Sequence, residues 1–394
     1  MKKFMLGFLV LPFCVSSFIV GCSKNSTNTK DSDASSTKQD QSNKFSLKIT
    51  TNIPEAKNYS VNVSDLNSIE KDTEITISNT SGFYIIKQFL SSNNDLLSTG
   101  DSYTFKITQD TEIKIMFTYS NKYYFSNRDD NGKANIILMS GQSNMAGSDT
   151  KFSLLNNDTI QYYNIGHDNV AINYHANANY TFNNEDSADF TYVNFGQGNS
   201  LQTFGPEMGL AKSLGKYKSN ETYYLIKVAY GGTSLFNNWN VDNIENTANK
   251  MMYGRFVKYL NNCLTMFKTQ TNLIPNIKAM VWLQGESDTD TDSGVHAVEY
   301  ATHFQKLVND VKSRYADYLS SDFKWISALI SKTYRDNQGG ATVENIEYVN
   351  SALKKYSDRI VTETEYDLPK INNLHYTPES SLKIGEYFYR ELFR

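Results

Sequence analysis

The chain has 394 residues, of which 39% are hydrophobic and 20% charged, and a formal net charge of −4. That length suits one large core plus a smaller one, and the composition is globular. Mild acidity without a basic stripe excludes an electrostatic footprint for nucleic acid.

The three cysteines are Cys14, Cys22 and Cys263. The first two fall in a leading segment, so the body keeps one thiol and no intramolecular disulfide. Lys2 and Lys3 precede an apolar run from Phe4 to Val20. This run is short and interrupted by Pro12, which fits an export signal better than a retained transmembrane helix. Its ending, Ile19-Val20-Gly21-Cys22, resembles a bacterial lipobox. The resemblance implies a signal peptide over 1–22, lipidation of Cys22 and anchoring to a membrane at the cell surface. Residues 23–44 are almost free of apolar side chains and are expected to be a disordered tether.

Residues 45–120 read as a small all-β domain. Phe45-Ser-Leu-Lys-Ile-Thr, Thr73-Glu-Ile-Thr-Ile-Ser and Thr111-Glu-Ile-Lys-Ile alternate apolar and polar residues between turn clusters. The stretch from Tyr103 to Tyr119 resembles the end of the B-repeat modules of bacterial surface proteins. A spacer or a carbohydrate-binding module are the roles such a domain fits.

From residue 124 to 394 the pattern changes to strands alternating with helices. Expected strands are Ala134–Met139, Tyr223–Ala229, Ile277–Leu283, Phe323–Ile330 and Arg359–Thr362. Expected helices are Pro206–Leu214, Met251–Phe267, Val295–Tyr315, Val343–Tyr356 and Pro378–Leu392. This order implies a three-layer α/β/α sandwich around a parallel sheet. Residues 150–203 are polar, rich in Asn and Tyr, and read as a long surface insertion. Tyr162, Tyr163, Tyr174 and Tyr180 within it are candidates for stacking on sugar rings, or for ordinary burial.

The first strand of this part runs into Gly141-Gln142-Ser143-Asn144-Met145-Ala146-Gly147. Ser143 therefore falls at the carboxyl end of a parallel strand, where ligands bind in open α/β sheets. Phe204-Gly-Pro-Glu-Met-Gly, Tyr230-Gly-Gly-Thr-Ser-Leu and Trp282-Leu-Gln-Gly-Glu-Ser-Asp follow in order, and Asn372-Asn-Leu-His375 closes the set. Together these stretches resemble the blocks of the GDSL/SGNH hydrolases, in the variant of sialate O-acetylesterases and family 6 carbohydrate esterases. The resemblance implies a flavodoxin-like fold and a serine carbohydrate O-acetylesterase acting on acetylated carbohydrate, with no cofactor and no metal.

A serine hydroxyl needs a base within reach. Of five histidines, His167 and His175 lie in the insertion, and His296 and His303 share one helix. His375 alone precedes a marked helix start, with Thr377 as cap and Pro378 at the first position, and is the expected base. For the oxyanion, the backbone N–H groups of Ser143 and Gly232 are natural donors, and the family pattern adds the side chain of Gln284.

One departure matters. The family's last block usually reads Asp-x-x-His, but Asn372 holds the acid position here. A neutral amide orients imidazole without stabilising imidazolium. Glu286 is the favoured source of the missing carboxylate; the alternatives are Asn372 as a weak orienter, or an impaired enzyme. Asp288, Asp290 and Asp292 with Glu299 approximate a calcium loop, but the glycine comes late and a strand precedes it. Two rival functions remain at this stage, a lipase or thioesterase on the same scaffold and a catalytically silent glycan-binding lipoprotein.

Overall fold

The computed structural model describes residues 43–51, 59–80, 84–119, 123, 132–164, 168–176, 189–246, 250–290, 294–334, 341–366 and 368–394. Cys22, the leader, nearly all of the expected tether, His167, Tyr180 and Asp292 lie outside them.

Period-two alternation builds the N-terminal strands. These are β1 (Lys44–Phe45), β2 (Leu47–Thr51), β3 (Tyr59–Val61), β4 (Ile69–Glu70), β5 (Glu74–Asn79), β6 (Tyr84–Ser91), β7 (Leu96–Thr99), β8 (Ser102–Lys106) and β9 (Thr111–Tyr119). They form a four-stranded sheet β2-β9-β6-β7, a three-stranded sheet β3-β5-β8 and the pair β1-β4. Ile75, Ile77, Phe89, Ile113 and Ile115 point inward and are fully buried.

The larger part begins with β10 (Lys133–Gly141), α1 (Ser143–Ala146), α2 (Asn157–Asn164), β11 (Val170–His175), β12 (Thr191–Tyr192) and α3 (Glu207–Tyr217). Next come β13 (Tyr223–Ala229), α4 (Met252–Met266), β14 (Ile274–Leu283), α5 (Gly294–Arg314) and β15 (Leu319–Ala328). It ends with α6 (Val343–Tyr356), β16 (Arg359–Val361) and α7 (Pro378–Phe393). The seven-stranded sheet has the order β12-β11-β13-β10-β14-β15-β16 and is parallel except for β12.

Strand β10 shows why the layers number three. Successive side chains leave a strand on opposite faces. Ile136 and Leu138 enter the core shared with Phe256 of α4, Phe304 of α5 and Leu353 of α6. Ile137 and Met139 enter the other core, with Met208 of α3 and Phe388 of α7. Helices thus cover both faces, as a central parallel strand requires. The first core is continuous with the buried side chains of the small sheets, and residues 44–394 form one compact unit.

The stretch 150–203 is more than a surface insertion. Val170 to His175 pairs in parallel with Tyr223 to Val228 as the sheet strand β11. Its short apolar run is buried by this pairing, although polar residues surround it in sequence.

Candidate active site

Strands β10, β13 and β14 end at one edge, with Gly141 in register with Ala229 and Leu283. Gly141 has φ 158°, and a β-carbon there would lie 2.0 Å from the Leu283 carbonyl oxygen. Only glycine lets the strand end that close to its neighbour. The chain then turns: Gln142 N–H donates to Leu283 O at 3.1 Å, and Ser143 opens α1. Behind it, the N–H groups of Gly147 and Ser148 both donate to Ser143 O at 2.9 Å.

Gln142, Ser143, Gly231, Gly232, Ser287 and His375 all line one cleft of about 480 Å³. The loop after β13 is held over Ser143, so that a β-carbon on Gly231 would sit 3.5 Å from Ser143 Cβ. Among the described residues, no acceptor takes the N–H of Ser143 or of Gly232. Both remain available to a developing oxyanion.

The His375 loop is closed on itself. Ile371 N–H donates to His375 O at 2.9 Å and Thr377 N–H to Pro369 O at 3.1 Å. Thr377 caps α7 by accepting from Ser380 N–H, with Pro378 at the first helical position. Asn144, next to the serine, ties the loop to α1. Its Nδ2 donates to Leu374 O at 3.3 Å, and its Oδ1 accepts from Tyr376 N–H at 3.2 Å.

The carboxylate on the imidazole is Asp149. Its Oδ2 lies 2.6 Å from His375 Nδ1. This contact assigns the proton to Nδ1 and leaves the Nε2 lone pair free to act as a base. Asp149 adopts a left-handed backbone, φ 64°, a conformation that Asp tolerates better than most residues.

Three expected roles are corrected. Glu286 does not orient the imidazole; it is buried, and its Oε1 accepts from Asn144 Nδ2 at 2.6 Å. Burial raises its pKa, and its Oε2 has no hydrogen-bond partner. Gln284 does not offer its amide to the cleft. Its Nε2 donates to Gln142 Oε1, Thr233 O and Asp288 Oδ2, and its Oε1 accepts from Tyr300. Asn372 shapes the loop instead of holding the ring, because its Oδ1 accepts from the N–H groups of Leu374 and His375 at 2.9 and 2.7 Å. Its Nδ2 reaches Asp149 at 3.5 Å.

The other candidates fall elsewhere. Asp288 faces inward and accepts from Leu235 N–H and Phe236 N–H at 2.8 and 3.0 Å, which engages its carboxylate with the loop after β13. His175 ends β11 against Tyr259, and burial pushes its pKa down to about 4. His296 stacks on Phe236, with ring centroids 4.0 Å apart. Tyr163 donates to Glu386 at 2.5 Å, and neither it, Tyr162 nor Tyr174 lines the cleft.

Burial raises the Asp288 pKa from 3.8 to about 7, despite the donors that favour its charge. The folded state therefore binds this proton more tightly than the unfolded chain. Its stabilising contribution is complete below about pH 4 and is lost as pH rises through about 7. Thermal melts should show the stability of the wild type relative to Asp288→Asn falling between about pH 4 and about pH 7. Parallel curves would exclude this linkage.

A sequence model of the family described as carbohydrate esterase, sialic acid-specific acetylesterase, matches residues 133–394. The chain belongs to this family. The matched segment starts with β10 and holds every cleft residue named above, while the small sheets precede it. No curated protein sequence matches the chain. Among solved structures, a protein from Arabidopsis thaliana is 20% identical, with 66% of this chain and 98% of that one covered and a TM-score of 0.47. A carbohydrate acetylesterase from Xanthomonas citri is 11% identical over 86% of this chain and 71% of its own, with a TM-score of 0.44. Another, from Sinorhizobium meliloti, is 12% identical over 66% and 99%, with a TM-score of 0.37.

Proposed function

We propose that the protein is a serine esterase that releases acetyl groups from carbohydrate. One observation carries this reading. Ser143 and His375 come from opposite ends of the matched segment and line the same cleft, with a carboxylate on His375 Nδ1. Ser143 Oγ attacks the ester carbonyl carbon, and His375 Nε2 takes its proton. The N–H groups of Ser143 and Gly232 hold the oxyanion. Collapse expels the sugar oxygen, which recovers the proton from His375 and leaves acetyl-Ser143. Water, deprotonated by His375, then attacks the acetyl carbon; acetate leaves as the Ser143 oxygen is expelled and takes the proton back from His375.

The walls of the cleft support this substrate class. Apart from Leu374, the lining side chains are polar, with Asp290 and Tyr334 at one side. Such a wall suits a short acyl group on a hydroxyl-rich carrier, and it disfavours the long apolar chain of a lipase or thioesterase substrate.

The test is acetate release by the purified protein from acetylated xylan oligosaccharides, acetylated sialic acid and acetylated peptidoglycan fragments, beside Ser143→Ala. Release from at least one, reduced by about 10³-fold or more in the variant, is the expected result. No release from any of them by a folded protein would favour the glycan-binding reading.

A further inference from the structure

Gln142, immediately before the nucleophile, is 2% exposed and yet lines the cleft. Its side-chain oxygen is heavily engaged. Oε1 accepts from Gln284 Nε2 at 3.2 Å, Gly285 N–H at 3.3 Å and Ser287 N–H at 3.2 Å. Three donors around one atom fix that end of the amide as the oxygen. Nε2 is then the other end, and among the described residues it has no acceptor. It is not among the fully enclosed unpartnered atoms either, so its outlet is the cleft beside Ser143.

The oxyanion needs this kind of donor. The backbone supplies two N–H groups, and the amide of Gln284 is spent on Gln142, Thr233 and Asp288. Resting on the esterase reading, we propose that Gln142 Nε2 is the third donor to the oxyanion, with Gln284 as the positioning residue that aims it. Preorganised donors of this type act where charge develops, so they lower the barrier more than they tighten substrate binding.

Gln142→Glu separates this role from a structural one. Glutamate keeps an oxygen for the same three donors, exchanges the NH2 for a second oxygen and adds a negative charge, which Gln142→Leu does not. Activity is read with a substrate that the wild type deacetylates, over a full pH profile, and the variants are compared at their maximal rates. The expected result is a kcat lower by about 10²–10³-fold, KM within a few-fold and a folded protein by thermal melt. Gln142→Leu, which loses both ends of the amide, should show the same loss of kcat and a lower melting temperature. A Gln142→Glu variant that keeps kcat within about threefold, or raises KM alone, would show that the amide only fills the loop. A wild type inactive on every acetylated substrate would overturn the esterase reading itself, and this proposal with it.

Discussion

Replacing His375 with alanine is expected to lower kcat for acetate release by about 10⁴–10⁶-fold, and adding Ser143→Ala should cost little more. In the proposed mechanism the two act as one unit: without the base the hydroxyl is not activated, and without the hydroxyl the base has no proton to take. Asp149→Asn should cost less, about 10–10²-fold, because its carboxylate is 52% exposed and solvent screens its charge. The amide also presents an NH2 to Nδ1 in half its orientations and so favours the wrong tautomer. Glu286→Gln should change kcat by less than about threefold, since a glutamine oxygen still accepts from Asn144 and the carboxylate hydrogen-bonded to the imidazole is that of Asp149. Steady-state kinetics with thermal melts on each variant decide the matter. If Glu286→Gln abolishes the rate while Asp149→Asn leaves it intact, the acid that serves His375 is Glu286, and the Asp149 contact is incidental.

Strand and helix order is legible in the sequence because it follows from local period and capping. Tyr223–Ala229 reads as a strand with the bounds it has, and Thr377-Pro378 marks the start of α7. Strand β11 is not legible. Its apolar core is only Val170-Ala-Ile, and its placement depends on backbone pairing with β13. The site divides the same way. Ser143, Gly232 and His375 are set by backbone position at the sheet edge, which motif order reveals. Side-chain direction is not set by motif order. Glu286 and Gln284 follow the strand end as expected, but both side chains turn inward and are used there. Asp149 is the converse. It sits in a plain Gly147-Ser-Asp turn, and only the arrival of the loop before α7 gives it a role.

Lys227→Met is expected to destabilise the fold by about 3–5 kcal/mol, the usual cost of removing one partner of a buried ion pair. Lys227 lies in the middle of β13 among residues that are all buried, a position where a lysine contradicts the apolar pattern of a central parallel strand. Glu207 in the first turn of α3 resolves the contradiction. The pair is 2.7 Å apart, with both side chains fully buried. Burial pulls the lysine pKa down, and the carboxylate opposes that shift. The pair is also a clasp. Lys227 Nζ donates to Gln197 O at 3.2 Å, and Gly205 N–H donates to Glu207 Oε1 at 2.7 Å. Both bonds hold the 197–205 loop, from which Asn199 Nδ2 donates to Ser148 Oγ in the cleft wall at 3.0 Å. Removing the lysine leaves a carboxylate buried without a counter-charge, whereas Lys227→Met with Glu207→Leu removes both charges. Denaturant melts should therefore show the double variant recovering most of the lost stability. Its acetate release should stay below that of the wild type, because the loop has still lost its bonds to both side chains. A single variant that costs less than about 1 kcal/mol would mean that water reaches the pair and that the clasp is weak.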